Sequence, residues 1–330
     1  KDFFSIFNKK NIKIFFKEKN IPEYEELITI TNEINKFNPD LVIAAGGGSV
    51  LDYAKIANVL NVSNSLRNNI INSEYKLIKP NRKLLAIPTT AGSGAEVTAN
   101  AVIYVNNVKY SIEGELIKPD FYFLVPDFVK GASNKIKSSA GFDAISQAIE
   151  SLISKKSNDE SVSYSIDSLQ ISLKYFHSFL KNPSNENTCA MLYASNLAGK
   201  AISISKTTAP HAVSYPFTSI FNISHGHAVS LTLSKFLFFN YNNIRLSNCN
   251  FNLKDKFKII FDLTKTSNIN DLKNYIDKLT EKAKLENKFD KLGININNSV
   301  DKILSDVNEQ RLSNNPIKIE KKIIRSILLT

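Results

Sequence analysis

Apolar and polar residues follow one another along the first third of this chain in the pattern of an α/β domain. Short apolar runs predict strands at residues 11–16, 41–45, 84–87 and 121–125. Apolar positions spaced at the helical period predict helices at residues 23–37 and 50–60. Residues 97–112 are typical of a hairpin that turns at Asn106 and Asn107. Strands that alternate with helices predict a parallel sheet of the kind that binds nucleotides.

Beyond Pro126 the strand signals stop, and apolar residues recur at helical intervals to the end of the chain. A chain of 330 residues commonly folds as two domains rather than around one core. We therefore predict an α/β dinucleotide-binding domain over residues 1–128 and an all-helical metal and substrate domain over residues 129–330.

The charged residues are distributed unevenly. The chain carries 42 basic and 31 acidic side chains, a net charge of +11, yet no Asp or Glu occurs from Asn187 to Lys254. No Arg-rich or aromatic-interleaved tract is present, so a nucleic-acid partner is not expected. The two cysteines show no CxxC pairing and no run is apolar enough to span a bilayer, which favours a cytoplasmic protein without a membrane partner.

Two glycine-rich loops follow predicted strands. Gly46-Gly47-Gly48-Ser49 ends one strand and opens a helix, with Ser49 as a candidate cap, so that backbone N–H groups could face a pyrophosphate. A tight turn is the alternative interpretation. The second loop, Thr89-Thr90-Ala91-Gly92-Ser93-Gly94, ends the next strand. Ligands of open α/β sheets bind beyond the carboxyl ends of the strands, which favours a dinucleotide.

The helical half contains candidate metal ligands. Asp143 and Gln147 are four residues apart and share a helix face, while His225 follows His211 by fourteen residues. Two imidazoles and a carboxylate from three segments are a ligand set for Fe²⁺ or Zn²⁺. Ordinary buried histidines, satisfied by hydrogen bonds, are the alternative.

Together these pieces resemble the iron-containing (group III) alcohol dehydrogenase family. The matching segments, in the order and spacing of the family, are GGGSVLDYAK at residues 46–55, PTTAGSGAEVT at 88–98, GFDA at 141–144, and the histidines His211 and His225. The resemblance implies a two-domain fold like that of dehydroquinate synthase. It also implies hydride transfer between NAD(H) or NADP(H) and a carbonyl at the interdomain cleft, and a first strand of the cofactor domain that is missing before Asn11.

The resemblance also implies roles for individual residues, and two of them depart from the family pattern. Asp143, His211 and His225 match three of the family's four metal ligands, whereas Gln147 replaces a histidine at the fourth. Tyr215 replaces a further histidine of many members, which leaves His227, Tyr215 or solvent as proton donors. By the same resemblance, the cofactor is held by Gly47, Gly48, Ser49, Asp52, Thr89, Thr90, Ser93 and Lys109.

The segments around Gln147 and His211 are similar to the branch of the family that reduces phosphonoacetaldehyde to 2-hydroxyethylphosphonate. Lys200 and Lys206, inside the acid-free segment, are candidate contacts for such a small anionic aldehyde. The alternatives are a general short-chain alcohol or polyol dehydrogenase, a sugar-phosphate cyclase, and a cofactor-binding protein without catalytic activity. A homodimer is the expected assembly.

Overall fold

The structure is a computed structural model that describes residues 11–19, 21–106, 108–307 and 309–329. It divides into two compact units. The first comprises Lys1–Ala86 and Ala99–Phe121, and the second Ile87–Thr98 and Tyr122–Thr330. The predicted fold class, an α/β nucleotide-type domain with a parallel sheet and a helical domain, is confirmed.

Among its described residues, the first unit contains three helices and nearly all of the strand residues. The strands are β1 (Leu41–Gly46), β2 (Lys83–Pro88), β3 (Asn100–Val105), β4 (Val108–Glu113) and β5 (Phe121–Tyr122). The helices are α1 (Tyr24–Phe37), α2 (Gly48–Val59) and α3 (Leu66–Ile71). The parallel sheet has the order β1-β2-β5, and β3 pairs antiparallel with β4. Side chains such as Leu27, Ile56 and Ile103 form the core between α1, α2 and the hairpin.

Two predicted strands differ from the structure. Residues 12–18 adopt no regular structure, so the strand predicted at 11–16 is wrong. A strand is stable only where it pairs with another, and the described sheets contain no neighbour for this segment. The strand predicted at 121–125 ends at Tyr122, residues 123–125 have no regular structure, and Pro126 is the N-cap of the next helix. The hairpin prediction is confirmed, with its residue Asn107 outside the described part of the chain.

The second unit is helical. Its helices are α4 (Asp127–Lys130), α5 (Asn134–Ile153), α6 (Asp159–Lys181), α7 (Asn185–Ser205), α8 (Ala209–Phe221), α9 (His225–Ser230), α10 (Leu233–Asn242), α11 (Leu253–Thr264), α12 (Ile269–Lys282), α13 (Ile296–Ser305), α14 (Glu309–Leu312) and α15 (Lys321–Leu329). Helix α5 packs against α6, α7 and α9 and is buried on every side over its last three turns. Polar side chains in that stretch must therefore find partners inside the protein.

The segment 87–98 packs with the helical unit, although the predicted boundary at residue 128 assigned it to the first domain. Gly94 has φ +61° and lies directly against Gly199 of α7, where a Cβ would come within 2.7 Å of the Gly94 backbone. Glycine at both positions allows the second glycine-rich loop to touch this helix. Within the described ranges, no helix has the length and apolarity needed to cross a membrane.

Candidate metal centre and cofactor loops

Asp143, His211 and His225 converge within the helical unit. They come from α5, α8 and α9, and one ligand atom from each lies within 4.8 Å of the others. The Oδ1 atom of Asp143 is 3.2 Å from Nε2 of His211 and 3.9 Å from Nε2 of His225. Ligands about 2.1 Å from a tetrahedral metal ion are separated by roughly 3.4 Å, so a small contraction would enclose an ion.

Glycine at position 226 allows α9 to lie this close to α5. A Cβ on Gly226 would be 2.0 Å from the carbonyl oxygen of Ser139 and 2.8 Å from Cβ of Asp143. Since Gly226 directly follows His225, the absence of its side chain sets the distance between this imidazole and Asp143. The side chain of His225 is 35% exposed, whereas those of Asp143 and His211 are buried, so solvent reaches the site from the His225 side.

Gln147 lies one helical turn after Asp143 and completes the ring of polar groups. Its Nε2 donates to Oδ2 of Asp143 at 3.1 Å, and its Oε1 is buried without a hydrogen-bond partner among the described residues. An unpartnered buried amide oxygen is costly, at about 1–3 kcal/mol. A flip of the side chain exchanges the positions of the amide oxygen and nitrogen. After such a flip Oε1 would face Asp143, where a bound cation would give it the partner that it lacks.

His211 is held between two carboxylates. Its Nε2 faces Asp143, and its Nδ1 lies 2.5 Å from Oε1 of Glu150. Burial alone would lower the pKa of His211, but Glu150 and Asp143 together raise it to about 9. The cluster thus favours a positive charge at its centre. One carboxylate, two imidazoles and an unpartnered amide oxygen are a donor set that fits Fe²⁺ or Zn²⁺.

His225 is oriented by its neighbours on α8. Ser214 donates its hydroxyl proton to the carbonyl oxygen of His211 at 2.7 Å, which leaves Oγ to accept from Nδ1 of His225 at 3.4 Å. That arrangement directs Nε2 of His225 towards Asp143. The ring of Tyr215 stacks on His225, with ring centres 5.9 Å apart and planes inclined by 20°.

His227, predicted for catalysis, and Lys200, predicted for substrate binding, each have partners outside the cluster of Asp143, His211 and His225. Nε2 of His227 is 2.6 Å from the carbonyl oxygen of Glu286, and burial lowers the pKa of this imidazole. The ammonium of Lys200 lies over the rings of Tyr122 and Tyr164, 5.9 and 5.7 Å from their centres.

Lys206 occupies the connection between α7 and α8. It caps α7 with φ 62° and ψ 172°, a backbone conformation that residues other than glycine adopt only under strain. Helix α8 begins three residues later and carries His211 in its first turn. Of the two lysines predicted to bind substrate, Lys206 is therefore the closer in sequence to the candidate metal ligands. Its backbone also has the strain that is often found at functional sites.

The first glycine-rich loop opens α2 as expected, with a different cap. Gly47 is the N-cap, and Ser49 lies inside the first turn. Neither a side-chain cap nor an acidic residue occupies this terminus, so the N–H groups of Gly48 and Ser49 remain available to an anion. In the second loop, Thr89 and Thr90 are partly exposed.

The second loop adjoins the metal centre. The carbonyl oxygen of Ser93 lies 3.5 Å from Nε2 of Gln147, with both residues in the helical unit. The second loop therefore lies beside Gln147 within the helical unit.

Asp52 and Lys109 lie close together in the first unit. Burial raises the pKa of Asp52 to about 6, against the attraction of Lys55 and Lys109, which lowers it. Lys55 is itself fully buried and donates to the carbonyl oxygen of Asn100 at 2.6 Å. The structure thus brings together two residues that the sequence assigned to cofactor binding.

Sequence reasoning assigned no role to three residues of the centre: Glu150, Ser214 and Gly226. For Glu150 a signal was present, because it follows Asp143 by seven residues and Gln147 by three, and so lies on the same face of an otherwise apolar helix. For Ser214 and Gly226 the sequence holds no comparable signal, since their roles depend on contacts between helices.

Comparisons with known proteins agree with this geometry. Residues 1–126 match the model of the iron-containing alcohol dehydrogenase family, and residues 137–330 match its C-terminal domain. A phosphonoacetaldehyde reductase of Streptomyces viridochromogenes is 26% identical, over 66% of this chain and 57% of its own length. A 4-hydroxybutyrate dehydrogenase of Clostridium kluyveri is 28% identical, over 80% of this chain and 71% of its own. This chain thus matches little more than half of the first relative.

A solved structure gives the same result for the fold. The sulfoacetaldehyde reductase of Bifidobacterium kashiwanohense, solved in complex with NAD⁺, superposes with a TM-score of 0.84 at 25% identity. The superposition covers 96% of this chain and 83% of that protein. Family models that span both halves, together with the Asp143, His211 and His225 cluster, confirm the resemblance and the predicted cofactor class. The chain belongs to the iron-containing alcohol dehydrogenase family, whose members are oxidoreductases that use NAD(H) and iron.

Proposed function

We propose that this protein reduces a small anionic aldehyde to an alcohol with NAD(P)H and a divalent metal ion. The favoured substrate is phosphonoacetaldehyde, which would give 2-hydroxyethylphosphonate. One observation carries the proposal: a partly exposed cluster of a carboxylate and two imidazoles includes His211, which lies in the first turn of the helix that follows the strained Lys206 turn. A metal centre and a cation are thereby close in sequence.

Asp143, His211 and His225 would hold Fe²⁺ or Zn²⁺, with the amide oxygen of Gln147 or a water molecule as the fourth ligand. When bound, the metal supplies Lewis-acid polarisation of the aldehyde oxygen, and the nicotinamide supplies the hydride. The chain's own contribution is orientation, because Ser214 and Glu150 each accept a hydrogen bond from the Nδ1 side of one imidazole.

The cofactor residues remain those that the family resemblance implies. Gly47, Gly48 and Ser49 would hold the pyrophosphate at the uncapped end of α2. Lys109 would lie at the ribose, and Asp52 is a further residue of the cofactor site. The loop with Thr89, Thr90 and Ser93 would hold the nicotinamide side, and the 3.5 Å approach of Ser93 to Gln147 supports this assignment.

The anionic tail of the substrate is inferred from charge and from the relatives. Three similar proteins are named for small compounds that carry a phosphonate, a sulfonate or a carboxylate. This chain has no acidic residue from Asn187 to Lys254, a segment that contains Lys206 and both histidine ligands. An ammonium attracts an anion more strongly than a neutral aldehyde. We therefore assign the tail to Lys206.

The alkoxide product needs a proton. Tyr215 is the favoured donor because its ring is stacked on His225, beside the metal ligands. His227 is less well placed, since its Nε2 already bonds to the carbonyl oxygen of Glu286.

Substrate preference tests the anionic class. We would compare kcat/KM for phosphonoacetaldehyde, sulfoacetaldehyde, succinic semialdehyde and propanal, in the wild type and in Lys206→Ala. The variant should lose much more activity on the anionic aldehydes than on propanal. Lys200→Ala is the matched control, because that ammonium already lies over Tyr122 and Tyr164. Equal losses on all four aldehydes would instead favour a general short-chain alcohol dehydrogenase.

Metal analysis tests the centre itself. The purified protein should contain about one divalent ion per chain, and His225→Ala should lose both the ion and turnover. His177→Ala, at an exposed histidine of α6, should retain both. Full turnover by a metal-free His225→Ala protein would show that the metal has no part in the reaction.

A further inference from the structure

Glu150 is a buried carboxylate with an unusual set of partners. It lies on α5 with no exposed surface, and no lysine or arginine within the described chain forms an ion pair with it. Its Oε1 meets Nδ1 of His211 at 2.5 Å. Its Oε2 accepts from the backbone N–H of Thr208 at 2.7 Å and from the Thr208 hydroxyl at 2.8 Å.

When a metal ion takes the place of the proton on Nε2 of His211, these contacts determine where the ring keeps its remaining proton. A carboxylate can only accept hydrogen bonds, so Nδ1 must be the donor to Glu150. A neutral imidazole has one N–H, and placing it on Nδ1 leaves the lone pair on Nε2. Nε2 is the atom that faces Asp143 at 3.2 Å. The tautomer set by Glu150 is therefore the one that can bind a metal ion between His211 and Asp143.

The second oxygen acts on the connection that carries Lys206. Thr208 is the N-cap of α8; its side chain accepts no capping bond, and its hydroxyl donates to Glu150. Since Thr208 is only two residues beyond Lys206, the same carboxylate fixes both His211 and the end of the strained turn. Taking a carboxylate out of water costs several kcal/mol, which a purely structural anchor for Thr208 would not require.

We propose that Glu150 is the positioning residue of this centre: one oxygen holds His211 in its metal-binding tautomer and orientation, and the other fixes the Lys206 turn through Thr208. This inference rests on the proposed metal centre. Metal-bound imidazoles commonly donate their second N–H to a carboxylate, and loss of that partner lowers metal affinity by roughly 10- to 100-fold.

Glu150→Gln is the informative substitution because it keeps the size of the side chain and removes one acceptor. The remaining oxygen can serve either His211 or Thr208, and the new NH₂ group must then face the other, which is itself a donor. Zn²⁺ affinity, measured by competition with a chromophoric chelator, should fall roughly 10- to 100-fold. Glu150→Asp keeps both acceptor oxygens, but its shorter side chain moves them away from His211 and Thr208. Its Zn²⁺ affinity should lie between those of the wild type and Glu150→Gln.

Ser151→Ala is the matched control for stability. Ser151 is the next residue of α5, is fully buried, and accepts a hydrogen bond from Ser205 at 2.8 Å. Its removal should lower stability without changing Zn²⁺ affinity. If Ser151→Ala weakened Zn²⁺ binding as much as Glu150→Gln, the effect would be one of general destabilisation and the inference would be wrong.

A measurement on the wild type tests the tautomer without any variant. The chain has four histidines, so ¹⁵N-histidine labelling gives a simple two-bond ¹H–¹⁵N spectrum. In the Zn²⁺-loaded protein His211 should carry its proton on Nδ1, and a proton on Nε2 would overturn the inference. Wild-type Zn²⁺ affinity in Glu150→Gln would overturn the role of Glu150 alone, whereas a wild type that binds no Zn²⁺ would overturn the metal centre as well.

Discussion

The backbone of Lys206 gives a prediction in which stability and activity change in opposite directions. Its φ of 62° and ψ of 172° fall in a region that glycine enters readily and other residues enter at a cost of about 1–3 kcal/mol. Lys206→Gly removes that strain. Glycine also gives the unfolded chain more freedom, which offsets about 0.5–1 kcal/mol of the gain. We expect Lys206→Gly to be more stable than Lys206→Ala by up to about 2 kcal/mol.

Activity should fall in both variants, because each removes the ammonium. A hydrogen bond to a charged group contributes about 1.5–3 kcal/mol, which corresponds to a loss of roughly 10- to 150-fold in kcat/KM. The loss should appear with phosphonoacetaldehyde and be much smaller with propanal. Comparing glycine with alanine therefore isolates the backbone strain, and comparing either with lysine isolates the charge.

Urea unfolding followed by far-ultraviolet circular dichroism measures the stability difference. The pair Lys200→Gly and Lys200→Ala is the control, because Lys200 lies inside α7, where glycine is less favourable than alanine by about 1 kcal/mol. The order of stability should thus reverse between the two positions. If Lys206→Gly were the less stable of its pair, the turn would not be strained. If both aldehydes lost activity equally, Lys206 would not bind the anion.

Three further predictions concern the metal centre and the first unit. Gly226→Ala should weaken Zn²⁺ binding at least tenfold, since the new Cβ would overlap the carbonyl oxygen of Ser139. Gly131→Ala is the control and should not weaken binding, because Gly131 has open space around it. Equal Zn²⁺ affinities of the two variants would contradict the role of Gly226. Gln147→His should raise Zn²⁺ affinity at least tenfold by supplying a stronger donor, and unchanged affinity would show that position 147 does not contact the ion. Because burial raises the pKa of Asp52 to about 6, the folded protein binds a proton that the unfolded chain releases, so stability should fall as the pH rises from 4 to 7. Relative to Asp52→Asn, the wild type should lose about 1–2 kcal/mol of its free energy of unfolding over that pH range, as measured by urea titration. The partial exposure of Asp52 reduces this amount. Parallel plots of stability against pH for the two proteins would contradict the burial effect.

The sequence predicted the fold class and pointed to the residues of the candidate metal cluster because both depend on local patterns. The glycine-rich loop before α2 and the Asp143 segment are contiguous, and the spacing of His211 and His225 is short enough to match a family pattern. The backbone of Lys206 could not be predicted in this way. Nothing in its neighbours requires a positive φ, which arises where α7 ends and Thr208 is held by Glu150.

Contacts between distant segments account for most of what the sequence did not predict. The hydrogen bond between Glu150 and His211 joins residues 61 positions apart, and its existence depends on how α8 packs beside α5. The assignment of segment 87–98 to the helical unit has a similar cause, because Gly94 can meet Gly199 only after α7 has formed. Hydrophobic periodicity identifies the helices but does not determine which of them touch.

The charges of the centre explain why an anionic substrate needs a lysine of its own. With a divalent ion bound, the carboxylates of Asp143 and Glu150 balance its charge, and the ligands His211 and Gln147 are neutral. Such a centre, with no net charge, would polarise the aldehyde oxygen but would exert little long-range attraction on the phosphonate of the proposed substrate. Exchanging Zn²⁺ for Co²⁺ should therefore change kcat for all aldehydes by a similar factor, whereas removing the ammonium of Lys206 should change kcat/KM for the anionic ones. The two proposed functions are separable because different segments would carry them: side chains from three helices would hold the metal, and a strained turn in an acid-free segment would provide the cation.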